Sequence, residues 1–365
     1  MQNSLIPALD PAPLPGPPWL FQVLWVVTFF LHLLFVNAVL GGSLLAALAG
    51  LRPRHRRTAE TLVEVNSWAI PLAITFGVAP LLFVQVVLGR FFYTATIVLS
   101  WWWMGMLGLV MVGYYLNYVA KWRFKKGKGA AAAQVVQALA FLAVAAIQVM
   151  VSLLHMQPAR WEATARSVGA ILADPTFVPR YLHFVLAAVA MAGAAVAWFA
   201  VRRAAKGGAQ EELAGVAGFG IRVALVATLL QLLDGFWLLL ALPEAVLRSF
   251  MRGGAATMVP LTLAILAGVL LLVILAQVSD PLAQAKKVRR AAELIVGAMA
   301  FMVVTRQQIR AIYLAASRAG EQVAVAPQWG VLGLFLLIFV VGMGITIYAL
   351  VRAGRDRAAP GELAA

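Results

Sequence analysis

Nine apolar runs follow one another along the chain, joined by short polar connections. They lie near 18–50, 62–89, 92–120, 130–154, 179–201, 214–242, 259–279, 291–305 and 328–351. About 20 apolar residues in helical conformation span the ~30 Å hydrocarbon core of a bilayer. A backbone in lipid must satisfy its own hydrogen bonds, which a helix does within one segment. The pattern therefore predicts an all-α integral membrane protein with nine transmembrane helices, 291–305 being the shortest. Composition agrees: 63% of the residues are hydrophobic and 12% charged, against about 25% charged in soluble domains.

The formal charge of +15 invites a nucleic-acid reading, which the placement of the charges removes. Alternate connections hold 19 of the 29 basic residues: Arg52–Arg57, Lys121–Lys128, Arg202–Lys206, Lys286–Arg290 and the tail from Arg352. Under the positive-inside rule these face the cytoplasm, which puts the N-terminus outside and the C-terminus inside. The expected environment is the inner membrane of a bacterium, crossed many times, with the lipid bilayer as the first partner and no nucleic acid. Residues 1–17 form a Pro-rich extracytoplasmic lead-in, 18–351 the nine-helix transmembrane domain and 352–365 a cytoplasmic tail. Met1–Pro18 holds six prolines and no Lys or Arg. A signal peptide needs a basic segment before its apolar run, so this stretch is expected to be an exposed lead-in.

There are no cysteines, so the chain itself builds no disulfide, iron–sulfur cluster or thioether-attached haem. A metal must rest on His32, His55, His155 or His183, on Met or on an acid. His55 lies in a basic connection and reads as a solvated surface residue. The other three fall on the outer half or near the midplane: His155 at the outer end of the fourth run, His183 about 6 Å inside the fifth and His32 about 20 Å along the first. Intramembrane ionisable residues mark functional sites by default.

The stretch Asp174–Ala194 concentrates these features. It enters a helix through Pro175 and Pro179, places His183 one turn inside and continues with Ala187, Ala190 and Ala194 on the same face. A neutral imidazole above a shallow small-residue groove suits the axial ligand of a flat macrocycle. Ordinary helix contacts account equally for the alanines. Asp234, about 12 Å from the outer end of the sixth run, is costly to bury as an anion. It is expected to be protonated, to hydrogen-bond an imidazole, or to lie on a proton path. Arg222 reads as a snorkelling residue. At the outer end of the eighth run, Arg306, Gln307, Gln308 and Arg310 could hold haem propionates or a quinone headgroup, or anchor the interface. Trp101, Trp102 and Trp103 lie too deep for an aromatic belt and are expected to pack internally.

In order along the chain, His32-Leu33-Leu34-Phe35-Val36 with Leu40-Gly41, Phe76-Gly77-Val78-Ala79 with Gln85 and Gly89, Leu154-His155-Met156-Gln157-Pro158, Asp174-Pro175 through Tyr181-Leu182-His183-Phe184, and Thr305-Arg306-Gln307-Gln308 resemble motifs of subunit I of the cytochrome bd quinol oxidases. That resemblance implies nine helices, an outside N-terminus and haem sites facing outward. It implies that His32 is the axial ligand of a haem in the active-site pair and His183 a ligand of the low-spin b haem. The chain departs from the family in three places. Thr94–Ala120 has no Asp, Glu or His, where the family carries an acidic haem ligand. Pro260–Ser279 has no Met, where the family carries the ligand opposite the fifth-run histidine, and Met258 lies just outside. The connection Pro243–Thr257 is short where the family has a long quinol-binding loop.

His155 then becomes a candidate to share a haem with His183 in place of the missing Met, or to serve a separate one. The expected metal ligands are His32, His183 and His155, with Arg306, Gln307 and Asp234 completing the cofactor site. The expected cofactors are one to three haems b, with quinone as a further candidate. The leading function is a membrane electron-transfer subunit of a cytochrome bd-like oxidoreductase complex, working between the quinone pool and an outer-face partner. That partner is a second membrane subunit, an extracytoplasmic c-type cytochrome, or both. A divergent terminal oxygen reductase and a haem-free scaffold or transporter are the alternatives; the latter would usually show inverted repeats, which the chain lacks.

Overall fold

A computed structural model describes residues 6–356 of the chain. Eleven α-helices and two short 3₁₀ turns make up the fold, and no strand occurs among the described residues. The long helices are α1 (Pro18–Gly50), α2 (Arg56–Lys125), α3 (Ala131–Leu154), α6 (Phe177–Ala204), α7 (Gln210–Leu240), α9 (Ala255–Ala276), α10 (Ala285–Leu314) and α11 (Trp329–Asp356). Short helices α4 (Trp161–Arg166), α5 (Gly169–Leu172) and α8 (Glu244–Arg252) lie in the connections. Seven helical segments are long and apolar enough to cross a membrane, so this is a multi-pass membrane protein. Residues 1–5 of the expected lead-in and 357–365 of the expected tail lie outside the described residues.

The 70 residues of α2 would reach about 105 Å as a straight rod, yet the two ends of the helix lie side by side. Asn117 donates to the Val63 carbonyl at 3.1 Å and to Ser67 Oγ at 3.0 Å, and Arg56 donates to the Gly127 carbonyl. The helix is broken by non-helical backbone at Leu88 (φ −139°) and at Ser100, where φ is +35°, so that two helical arms meet across a kink. Ser100 holds a conformation that L-residues rarely adopt. The two expected runs 62–89 and 92–120 are thus the arms of one helical hairpin.

Helix ends at the basic side follow from sequence. After Phe124 and Arg203 the chain turns through Gly127 and Gly207, both with positive φ (70° and 86°). At each, the next N–H reaches back five residues: Lys128 to the Arg123 carbonyl and Gly208 to the Arg203 carbonyl. These are glycine-terminated caps with basic residues in the last turn, where they complement the helix dipole. Arg56 reaching Gly127 and Arg57 lying 3.4 Å from Glu212 gather the basic connections at one end.

The core is made by small residues that let helices approach. α1 packs against α2 and α6, and α6 against α7. Gly41 faces Ala188 and Ala192 of α6, and Gly193 faces Gly220 and Ala224 of α7. The alanine face expected to form a groove under His183 is therefore closed by neighbouring helices lower down: Ala190 and Ala194 are buried with Val216, Ala217 and Ala224. A polar layer crosses the same region, with Asn66 donating to Ser43 at 3.0 Å and Gln137 to Asn117 at 3.2 Å. Such bonds hold helices together where water is absent.

Trp101 and Trp102 depart from the internal packing expected of them. They are 84% and 50% exposed, whereas Trp103 packs edge-on against Phe92. The break at Ser100 turns the first two indoles outward, where hydrocarbon receives them as readily as a core would.

Asp174 ties the end of the α3–α6 connection. It accepts bonds from the Thr176 N–H (2.8 Å), Thr176 Oγ1 (2.6 Å) and Gln157 Nε2 (3.0 Å), with Arg160 at 3.2 Å. Burial pushes the carboxyl up, but the donors from Thr176 and Gln157 and the Arg160 charge outweigh it, so its pKa lies below the ordinary 3.8. A lowered folded-state pKa gives stability that is fully present above the unfolded value and is lost as pH falls through the folded one. Thermal stability in detergent is expected to drop below pH 3.8. Asp174→Asn should cost about 1–2 kcal/mol at neutral pH and flatten that acid limb. An acid limb unchanged in Asp174→Asn would show that other carboxylates carry it.

Candidate functional site

The three intramembrane histidines share one feature. His32 sits in α1 with Nδ1 2.9 Å from the Ala73 carbonyl of α2. His155 caps α3 with Nδ1 2.9 Å from the Val151 carbonyl. A carbonyl only accepts, so in both rings Nδ1 carries the proton and Nε2 keeps its lone pair. His183, in the second turn of α6, has Nδ1 3.0 Å from Asp234 Oδ2 of α7. A carboxylate there orients the ring in the same way, the arrangement that holds metal-binding imidazoles in place.

The space beside each ring is shaped too. A Cβ on Gly77 would stand 2.9 Å from His32 Cε1, and one on Gly235 would stand 3.3 Å from His183 Cε1. His155 is 3% exposed, and its Nε2 is buried without a partner. Phe92 packs edge-on against its ring.

Arg180, Arg306 and Arg310 stand close enough to one another and to His155 for their charges to oppose. Arg306 donates to Ser152 Oγ at 2.9 Å and lies over the Phe29 ring at 4.7 Å. Arg310 is 3% exposed, lies over Trp25 at 4.2 Å and donates to Gln307 Oε1. Gln308 turns away to the Ala256 carbonyl. Among the described residues none of the three arginines forms an ion pair, although the Asp174 charge acts on Arg180. The Nε atoms of Arg180 and Arg310, the Tyr313 hydroxyl and Asp234 Oδ1 are buried without hydrogen bonds. Buried guanidiniums left this way are costly unless an anion completes them.

The structure therefore brings Asp234 to His183, and Gln307 and Arg306 to the arginine cluster around His155. It gives the His155 and His183 rings different neighbours and, among the described residues, no ring contact with each other. Arg180 links the two zones, lying one turn before His183 and facing the His155 cluster. Sequence reasoning missed Arg180, Tyr313 and Gly235, and met Gly77 only as part of the motif Phe76-Gly77-Val78-Ala79. Arg180 had a signal in its three-residue spacing from His183, and Gly235 in its adjacency to Asp234. His55, expected to be solvated, is half-buried against Phe219, with ring centroids 5.1 Å apart.

The donor set fits a haem: imidazoles whose Nδ1 is engaged, leaving Nε2 for iron, and guanidiniums without ion pairs for the propionates. Among the described residues no three His, Asp or Glu converge as a protein-only metal centre.

No family model and no curated protein matches the sequence. The fold is similar to that of a chain of the bd oxidase from Geobacillus thermodenitrificans, with a TM-score of 0.75. The match covers 94% of this chain and 100% of that chain at 12% identity. The resemblance read from the motifs is thus met by a shared fold.

Proposed function

We propose that this chain is a haem-b-binding electron-transfer subunit of a cytochrome bd-like oxidoreductase complex. It would pass electrons between the quinone pool and an outer-face partner, a second membrane subunit or a c-type cytochrome. The observation that carries this reading is that Nδ1 of His32, His155 and His183 in each case faces an oxygen acceptor. Each ring has its Nδ1 engaged, leaving Nε2 as the coordinating atom.

When bound, haem b supplies one-electron transfer at its iron. The chain's own residues do the rest. Asp234 holds His183 in orientation, the Val151 and Ala73 carbonyls hold His155 and His32, and Arg180, Arg306 and Arg310 balance the carboxylates at the periphery. Gln307 positions Arg310. The helices exclude water, which strengthens these charges.

In this reading the two arms of α2 cross the membrane separately and α10 crosses as well, making nine crossings with the six other apolar segments. The N-terminus then lies outside and the basic end faces the cytoplasm. Residues 18–351 form the membrane domain of a bacterial inner-membrane protein. The lack of an acidic ligand in Thr94–Ala120 favours electron transfer over oxygen reduction at this chain.

The test is the visible spectrum of protein purified after expression with haem supplied. A reduced-minus-oxidised b-type spectrum without oxygen consumption is expected. A colourless preparation would overturn the redox reading, and quinol-driven oxygen uptake by this chain would replace it with a terminal oxidase. His155→Ala is expected to remove or shift a low-spin b band; an unchanged difference spectrum excludes His155 as a ligand.

A further inference from the structure

At the basic end of the molecule, away from the three histidines, a groove of about 390 Å³ lies between α6 and α7. Its apolar wall is a helical stripe, Phe219, Val223, Val226 and Leu230 of α7, completed by Leu186 and Val189 of α6. From Phe219 to Leu230 the stripe runs about 16 Å at 1.5 Å per residue, roughly half of the ~30 Å hydrocarbon core. Val226 is 56% and Leu230 45% exposed, so the groove opens toward lipid.

The polar end of the groove is wholly basic. Arg52, Arg54 and His55 come from the α1–α2 connection, and Arg222 comes from α7. The Arg222 guanidinium approaches Gly218, one turn back toward the helix start, where a Cβ would stand 3.4 Å from Nη1. This is the direction in which helical side chains lean. Arg54 Nε donates to His55 Nε2 at 3.1 Å, which requires that nitrogen to be an acceptor and the ring to be neutral. Burial and the charges of Arg54, Arg52 and Arg222 push the His55 pKa down accordingly.

The nearby carboxylates are already taken. Glu60 is held by Arg56 and Arg57, and Glu212 lies 3.4 Å from Arg57. Among the described residues, Arg52, Arg54 and Arg222 have no ion pair. Three guanidiniums at the membrane surface, at the head of an apolar groove one leaflet deep, lack only an anion with a tail.

We propose that this groove binds an anionic phospholipid, its phosphate on Arg52, Arg54 and Arg222 and one acyl chain along Val223, Val226 and Leu230. Charge complementarity selects the occupant: a zwitterionic lipid brings its own cation to a site that already has three. A free phosphate would leave the apolar wall unused. The site does not rest on the haem reading: its anion-binding end is made by Arg52 and Arg54 of the α1–α2 connection with Arg222 of α7, and only the far end of its apolar wall, at Leu230, comes within one turn of Asp234.

The test is native mass spectrometry of the full chain in dodecylmaltoside, with equimolar dioleoylphosphatidylglycerol and dioleoylphosphatidylcholine. Retention of phosphatidylglycerol is expected to exceed that of phosphatidylcholine by at least about tenfold, given a few-fold per basic residue near an anionic surface. Arg54→Gln with Arg222→Gln should bring the ratio within about twofold, while the visible spectrum stays unchanged. Val226→Trp, which fills the groove, should weaken retention of both lipids. Equal retention by the unaltered protein, or a preference that survives the double substitution, overturns the proposal. So does a preference abolished by millimolar inorganic phosphate but untouched by Val226→Trp, which would identify a free-anion site. If the double variant is not monodisperse, the two-lipid comparison on the unaltered chain and the Val226→Trp variant decide.

Discussion

Replacing His183 by alanine is expected to remove a b-type haem from the purified protein, lowering the haem-to-protein ratio by one and deleting the matching band. In the proposed reading Nε2 of this ring would be the coordinating atom, and Gly235 of α7 leaves room beside it, since a Cβ there would stand 3.3 Å from Cε1. Asp234→Asn should act on the same haem more gently. The amide keeps an oxygen acceptor toward Nδ1 but loses the carboxylate's negative charge. Outer partners of ligating histidines typically contribute 10–100-fold to metal affinity, so haem dissociation should accelerate by about that range. Helix packing should be preserved, because Asp234 and Asn are nearly equal in volume. Pyridine haemochrome content and haem transfer to an apo-acceptor measure the two effects. Full haem content and an unchanged spectrum in His183→Ala would remove this ring from the ligand set, whatever the state of His32 and His155.

A second large effect is expected far from the chemistry, where α1 crosses α6. A Cβ on Gly41 would stand 2.0 Å from the Ala188 carbonyl oxygen and 2.8 Å from the Ala192 Cβ. Neither atom ends a flexible side chain, so the helices must separate. Overpacking a close interface costs about 1–3 kcal/mol and sometimes more, and a backbone clash belongs at the top of that range. Gly41→Val should therefore lower the midpoint of heat-induced loss of monodisperse protein by many degrees. Gly105→Ala is the control: nothing lies within 4 Å of its Cβ, and the helix gains roughly 0.5–1 kcal/mol of intrinsic preference from the exchange. Equal thermal behaviour of the two variants would show that α1 and α6 are not in the contact described. Because α1 carries His32 and α6 carries His183, Gly41→Val should also reduce haem retention, linking packing to the cofactor.

The membrane class and most helix positions were legible in the residues, because a lipid environment leaves the backbone few options. Apolar runs of bilayer length must be helices, and the basic residues with Gly127 and Gly207 mark where several of them end. The candidate histidines were legible for the same reason, since an ionisable group in hydrocarbon stands out against its neighbours. Asp234 was legible only as a set of alternatives. Its distance from His183 along the chain is 51 residues, and periodicity carries no information across that interval.

One expectation failed where a local break took over, and a neighbouring helix decided between two readings of the alanine face. Trp101 and Trp102 look internal by depth, but Ser100 at positive φ re-aims them to the outside. Ala190 and Ala194 look like the floor of a groove, yet α7 fills the space. A stripe of small residues says that something comes close, not what it is.

By itself, then, the sequence determined the solvent this protein lives in, its helical construction and the few polar residues hydrocarbon would not carry without cause. Only the tertiary structure decided which carbonyl or carboxylate holds each imidazole, and that three arginines from α6 and α10 meet around His155. The physical reason is that hydrophobic burial and helical hydrogen bonding act between near neighbours in the chain. The pairing of a buried polar group depends instead on which helix packs beside it.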